Sequence, residues 1–308
     1  MNPYAKKIKY KSGIFFLLLF VSPACTGAAE DLQSIQTRDV EVQFTASLVP
    51  VADEVLYLYP EIRRNLESLF RWDLALKPSV VLIPTREQFL ELSGDDLVVA
   101  FAVPERNLIV IDYSRTVEHP FSIEATLKHE LCHLLLHRHI KREILPKWMD
   151  EGLCQWASDG IGEMLVAPKR SLLLMASLSR RFIPLGELHR IFPGDEKSRL
   201  LAYAESKSFV AYLLEQFGRD RLIDALNHMK EGSTADAAIQ KAFSIPFEIL
   251  EKEWHHSLKT TLTWFTFLSY HLYEILFALM AVVTVLAFIR MHLKKKNYVD
   301  DEDVEERG

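Results

Sequence analysis

Two uncharged apolar runs set the limits within which this chain can fold. Ile275–Ile289 (ILFALMAVVTVLAFI) carries no charge, and Arg290, Lys294, Lys295 and Lys296 follow it closely. Extended outward to about Leu262, this run reads as a transmembrane helix, since a bilayer core takes ~20 apolar residues. Positive charge beside a span marks the cytoplasmic side, and Trp264, Tyr270 and Tyr273 stand at the other end, where an aromatic belt belongs. The second run, Ile14–Val21 (IFFLLLFV), is too short to span comfortably. It lies behind Lys6, Lys7, Lys9 and Lys11 and ahead of small residues through Ala29, the layout of a secretory signal peptide or a signal anchor over residues 1–28. Both ends predict one topology in the cell membrane. Residues 29–262 lie outside the cytoplasm, which is the periplasm if the source is a Gram-negative bacterium, followed by a span over 263–290 and a cytoplasmic tail over 291–308. That tail is basic, then acidic.

The segment between the runs is acidic. Residues 29–263 hold 27 basic and 35 acidic side chains, a net of −8 against −6 for all 308 residues. A nucleic-acid partner is not expected, because such proteins carry positive charge to displace counterions. An aromatic share of 11% excludes a disordered chain. Val40–Ala46 alternates like a strand, Ser79–Ile83 reads as a buried one, and Leu97–Val103 and Asn107–Asp112 read as two more. Pro50–Phe70 is helical in pattern. After Pro120 the helical pattern persists over 121–138, 148–158, 169–180, 200–217, 219–230, 234–243 and 246–260. A small N-terminal sheet followed by a mostly helical C-terminal part predicts one α+β domain.

Residues 129–133 read His129-Glu130-Leu131-Cys132-His133. Helical residues four apart share a face, so both imidazoles can bind one metal ion. Glu130 can then reach a metal-bound water as general base. Zinc fits best, since two neutral imidazoles with an open position suit its tetrahedral hydrolytic sites. A third ligand is needed, and two residues compete. His139 has the spacing of the metzincin pattern, but Leu136 stands where that pattern has Gly. A helix continuing through Leu136 turns His139 about 240° away from His133. Glu151 follows a loop, in the first turn of the next helix, and two His plus one Glu is the thermolysin-type ligand set.

Pro146, Trp148, Glu151 and Gly152, downstream of His129, Glu130 and His133, carry a family resemblance. The chain resembles the gluzincin metallopeptidases, specifically the peptidase MA-like domain, over about residues 40–260. Leu201–Ser206 and Phe209–Leu214 are similar to that family's downstream helix. The resemblance implies a thermolysin-like fold, one Zn²⁺ held by His129, His133 and Glu151, and hydrolysis of peptide or protein substrates with Glu130 as base. It also places Tyr203 where it can donate to the oxyanion, with core packing of the ring as the other reading. Cys154 stands where Ala is usual and Gln155 where an acid is common. Asp150 or Asp159 can take that acid's place beside a ligating His. The family geometry brings Cys132 and Cys154 close, as a disulfide or as two buried thiols. His137 reads as an exposed helix residue. Asn107–Asp112 offers an edge strand for an extended peptide. Two other readings are a non-catalytic binding or scaffold module on the same fold, and a metzincin-like enzyme using His139.

Overall fold

The structure is a computed structural model that describes residues 32–116, 122–158, 169–270 and 272–305. The expected signal segment, residues 1–28, and Asp159 lie outside them. Runs of Val and Ile are stiff at χ1 and suit a sheet buried on both faces. SVVLI and LIVID accordingly form central strands, β3 (Ser79–Ile83) and β5 (Leu108–Asp112), paired in parallel from Ser79 opposite Leu108 to Ile83 opposite Asp112. β2 (Glu41–Phe44) runs parallel to β3, and β1 (Gln33–Gln36) pairs antiparallel with β2. β4 (Ala100–Val103) pairs antiparallel with β5. The order is β1-β2-β3-β5-β4. The expectation for Asn107–Asp112 is therefore corrected: that strand is interior, and β4 is the edge beside it.

α1 (Val49–Phe70) begins with Pro50, which suits a first helical turn, and buries Val51, Val55, Tyr59, Ile62, Leu66 and Phe70. α2 (Arg86–Ser93) is capped by the Thr85 hydroxyl, which accepts from the Gln88 N–H, and ends at Gly94 with φ 63°. α3 (Tyr113–Thr116) is a single turn after β5. Helices α4 (Ile123–His139), α5 (Lys147–Ala157), α6 (Lys169–Ser179), α7 (Glu196–Lys230), α8 (Ala235–Phe243), α9 (Phe247–Tyr270) and α10 (Leu272–Glu305) complete the chain. The two helices expected at 200–217 and 219–230 are the halves of α7, broken at Gly218, whose φ of 79° and ψ of 164° are not helical.

The chain divides after Trp254, and residues from His255 onward form a second unit. In that unit Leu272–Met291 has a mean hydropathy of 2.5, long and apolar enough to cross a membrane.

Gly152 is where α5 meets α7 most closely. A Cβ there would sit 2.5 Å from the Ser206 carbonyl oxygen and 2.7 Å from Val210 Cγ2. The neighbour is helix backbone, which cannot swing aside as a side-chain tip can. Gly152→Ala should lower stability by about 1–3 kcal/mol, the usual scale of overpacking. Thermal melting of the purified variant checks it, and an unchanged midpoint would show that the helices separate freely.

Candidate metal centre and cleft

α4 begins at Ser122, whose hydroxyl accepts the Ala125 N–H at 3.1 Å. Leu127, Leu131, Leu134, Leu135 and Leu136 are all buried, so apolar surface surrounds the helix on more than one side. A helix apolar all round belongs in a core. This one carries His129, Glu130 and His133 into the interior, all three buried. α5 starts after Pro146, and Trp148 anchors it, with ring centroids 5.1 Å from Phe209 and 5.7 Å from Phe247. Glu151, one turn on, is fully buried.

The Nε2 atoms of His129 and His133 lie 3.2 Å apart. Glu151 Oε2 lies 3.7 Å from the first and 3.8 Å from the second. Ligand atoms about 2.0–2.1 Å from a tetrahedral zinc are about 3.3 Å from each other, so this triangle fits that ion with small closure. The other ring nitrogens are engaged. His133 Nδ1 lies 2.7 Å from Asp150 Oδ1, and His129 Nδ1 lies 3.4 Å from Ser158 Oγ, whose hydroxyl donates to the Cys154 carbonyl. Protons on the Nδ1 atoms leave both Nε2 lone pairs directed at the common point.

Charge at the site is coupled. Burial works against a charged His133, but the carboxylates of Asp150 and Glu151 outweigh it and hold its pKa well above the usual value. Burial also opposes ionisation of Glu151, yet the Lys147 ammonium 2.5 Å from Oε1 and the imidazole of His133 bring its carboxyl down to about 2. Asp150 is likewise held well below the ordinary carboxylate range, against its burial, chiefly by His133.

Of the two acids expected beside a histidine of the motif, Asp150 lies against His133. Gln155 instead donates to the Tyr203 carbonyl at 3.3 Å. The expectation for His137 is corrected: it is half-buried, with Nε2 3.1 Å from Asp150 Oδ2. His139 lies outside the cluster. α4 continues through it, its Nε2 donates to the Asp73 carbonyl at 2.9 Å, and its ring lies 4.8 Å from that of Trp72. Tyr203 is buried, its ring edge-on to Phe192 at 4.8 Å. Cys132 and Cys154 are buried free thiols.

A cleft of about 800 Å³ opens at His133. Ala102 and Val103 of β4 line it, with His137, Lys147 and Asp150, and with His189–Phe192 from the segment before α7. Sequence reasoning missed Lys147 and that segment. The signal for Lys147 was its position four residues before Glu151, one helical turn.

Glu205, on α7 and fully buried, accepts the Ile183 N–H. Burial raises its carboxyl to about 8, against the pull of that hydrogen bond. The folded chain therefore holds a proton there that the unfolded chain releases above its ordinary carboxylate pKa of 4.5. Stability contributed by that proton is lost as pH rises toward 8. Glu205→Gln, neutral throughout, should flatten the fall in melting temperature between the unfolded carboxylate value of 4.5 and the folded value of about 8, measured by calorimetry. An unaltered slope would mean that another group sets it.

Residues 96–260, more than half of the chain, match the Peptidase MA superfamily, and the chain belongs to that family. No curated protein matches it in sequence. Among solved structures, it is similar to yeast LTA4 hydrolase in complex with bestatin, at 11% identity and a TM-score of 0.42 over 67% of this chain and 34% of that one. It is also similar to a point mutant of an M1 zinc metallopeptidase from Deinococcus radiodurans, at 15% identity and a TM-score of 0.43 over 73% of this chain and 49% of that one. The chain thus spans between a third and a half of the length of these two structures.

Proposed function

We propose that the chain is a membrane-anchored zinc metallopeptidase, with the domain before the span acting outside the cytoplasm. The observation that carries this reading is the buried triangle of His129 Nε2, His133 Nε2 and Glu151 Oε2, with separations of 3.2–3.8 Å, beside a buried Glu130. Zinc in such a triangle supplies a Lewis acid and a water acidic enough to attack near neutral pH. The protein's own groups do the rest. Glu130 accepts the proton of the attacking water and delivers it to the leaving nitrogen. Asp150 fixes the ring of His133 through Nδ1. The edge of β4 offers main-chain groups to an extended peptide in the cleft. Tyr203 serves as the hydrogen-bond donor to the developing oxyanion, supported by its place in the family-like segment. Leu272–Met291 anchors the chain, supported by its length and hydropathy.

The test is made on the full-length chain purified in detergent without chelators. It should contain about one zinc per chain by elemental analysis and cleave members of a diverse peptide library. A chelator should abolish cleavage and added zinc restore it. A metal-free chain, or a zinc-loaded chain inert to the library, would overturn the reading.

A further inference from the structure

Residues 183–192 form a strap tied to three helices. The Ile183 N–H donates to both carboxyl oxygens of Glu205 on α7, at 3.2 and 3.3 Å. The Leu185 N–H donates to Glu251 Oε1 on α9 at 2.8 Å. Further on, the His189 carbonyl accepts the Lys147 N–H at 2.8 Å and the Leu188 carbonyl accepts the Trp148 N–H at 3.1 Å. Those donors are the first two of α5, a helix N-terminus that needs outside acceptors, and Pro146 supplies no capping side chain. Leu185 and Leu188 are buried beneath the strap, while His189, Arg190, Ile191 and Phe192 line the cleft.

The two carboxyls do not line the cleft. A carboxyl taken out of water is costly unless its oxygens are bonded; Glu205 is fully buried and Glu251 half-buried, and both bond to the main chain of the strap. Through Lys147 and Trp148 the same strap reaches the helix that carries Glu151. Ile191 is 77% exposed on this wall, an apolar side chain left open to whatever enters.

We propose that Glu205 and Glu251 are positioning residues for the substrate. They fix the strap as the wall that shares the cleft with β4, and they set Ile191 where an apolar side chain of the peptide meets it. The inference rests on the reading of the cleft as a peptide site and names the part of the chain that shapes it.

The experiment uses the full-length chain as wild type, Glu205→Leu, Glu205→Gln, Glu251→Leu and Ile191→Asp. Zinc content, amide hydrogen exchange, and KM and kcat on a peptide cut by the wild type are measured. Glu205→Leu and Glu251→Leu should speed exchange over 183–192 and at Lys147 and Trp148. They should raise KM about tenfold while kcat stays within about threefold and zinc is kept. Glu205→Gln retains an acceptor and should restore KM. Ile191→Asp, at the surface, should raise KM without changing exchange, which preserves the test if either leucine variant does not fold. An unchanged KM in Ile191→Asp, or in a leucine variant whose strap exchanges faster, would overturn the proposal. If the wild type cuts no peptide, the peptidase reading fails separately. Exchange then decides the tie, and unaltered protection at Lys147 and Trp148 in both leucine variants would sink it.

Discussion

Glu130→Gln in the full-length chain should keep its zinc and lose about 10³-fold in kcat on any peptide that the wild type cuts. Glutamine has nearly the shape of glutamate, so the buried space between α4 and its neighbours stays filled. It cannot take up the proton of the attacking water, and proton transfer of this kind contributes about 10²–10⁴-fold. The metal should stay because the converging atoms belong to His129, His133 and Glu151. Loss of one negative charge near His133 weakens the field that favours a cation, but Asp150 and Glu151 remain. KM should change little, since Glu130 acts on the reacting water rather than on bound peptide. The measurement is kcat and KM beside zinc content of the same sample. Retained activity with retained zinc would remove Glu130 from the chemistry. Loss of zinc would make it a structural support of the ligands.

The parts of the site legible in sequence are those held by side chains at helical spacing. His129 and His133 share a face of α4 because they are four residues apart, and the Trp148–Gly152 stretch placed Glu151 in the first turns of α5. Gly152 had a physical reason in the fold, the approach of α5 to the backbone of Ser206. Central strands were legible because apolar residues, mostly Val and Ile, run unbroken through Val80–Ile83 and Leu108–Ile111. Which strand lies at the edge was not, because pairing order is a tertiary property that periodicity does not carry. β1 was missed for a simpler reason: its four residues, QSIQ, hold a single apolar side chain. α2 had a signal that went unused, Thr85 three residues before Gln88 and Gly94 at its end. The strap at 183–192 had none. It caps α5 with main-chain carbonyls, which every residue possesses, so no residue type marks it. His137 was misplaced because its partner, Asp150, comes from a different helix, 13 residues away.

Glu151→Ala should abolish stoichiometric zinc binding, while His139→Ala should leave it intact. The contrast separates two ligand sets that spacing alone left open. Glu151 Oε2 is within 3.8 Å of both imidazole Nε2 atoms, whereas His139 spends its Nε2 on the Asp73 carbonyl and packs on Trp72. Removing a carboxylate ligand from a buried site takes away both a bond and the charge that balances a dication. Even partners one shell out cost about 10–100-fold in affinity, so losing Glu151 should exceed about a hundredfold. Asp150→Ala should fall between, within that 10–100-fold range, because it frees the His133 ring without removing a ligand. Competition with a chromophoric chelator measures all three variants on the purified full-length chain, with thermal melting to confirm that each is folded. Zinc lost from His139→Ala and kept by Glu151→Ala would reverse the assignment. It would require α4 to end before His139, contrary to its helical course from Ile123 to His139. Glu151→Ala also removes one of the two carboxylates beside Lys147, so its folded apoprotein should carry one fewer ion pair. Zinc loss together with a changed melting temperature is therefore expected there, and zinc loss must be scored on protein below its melting transition.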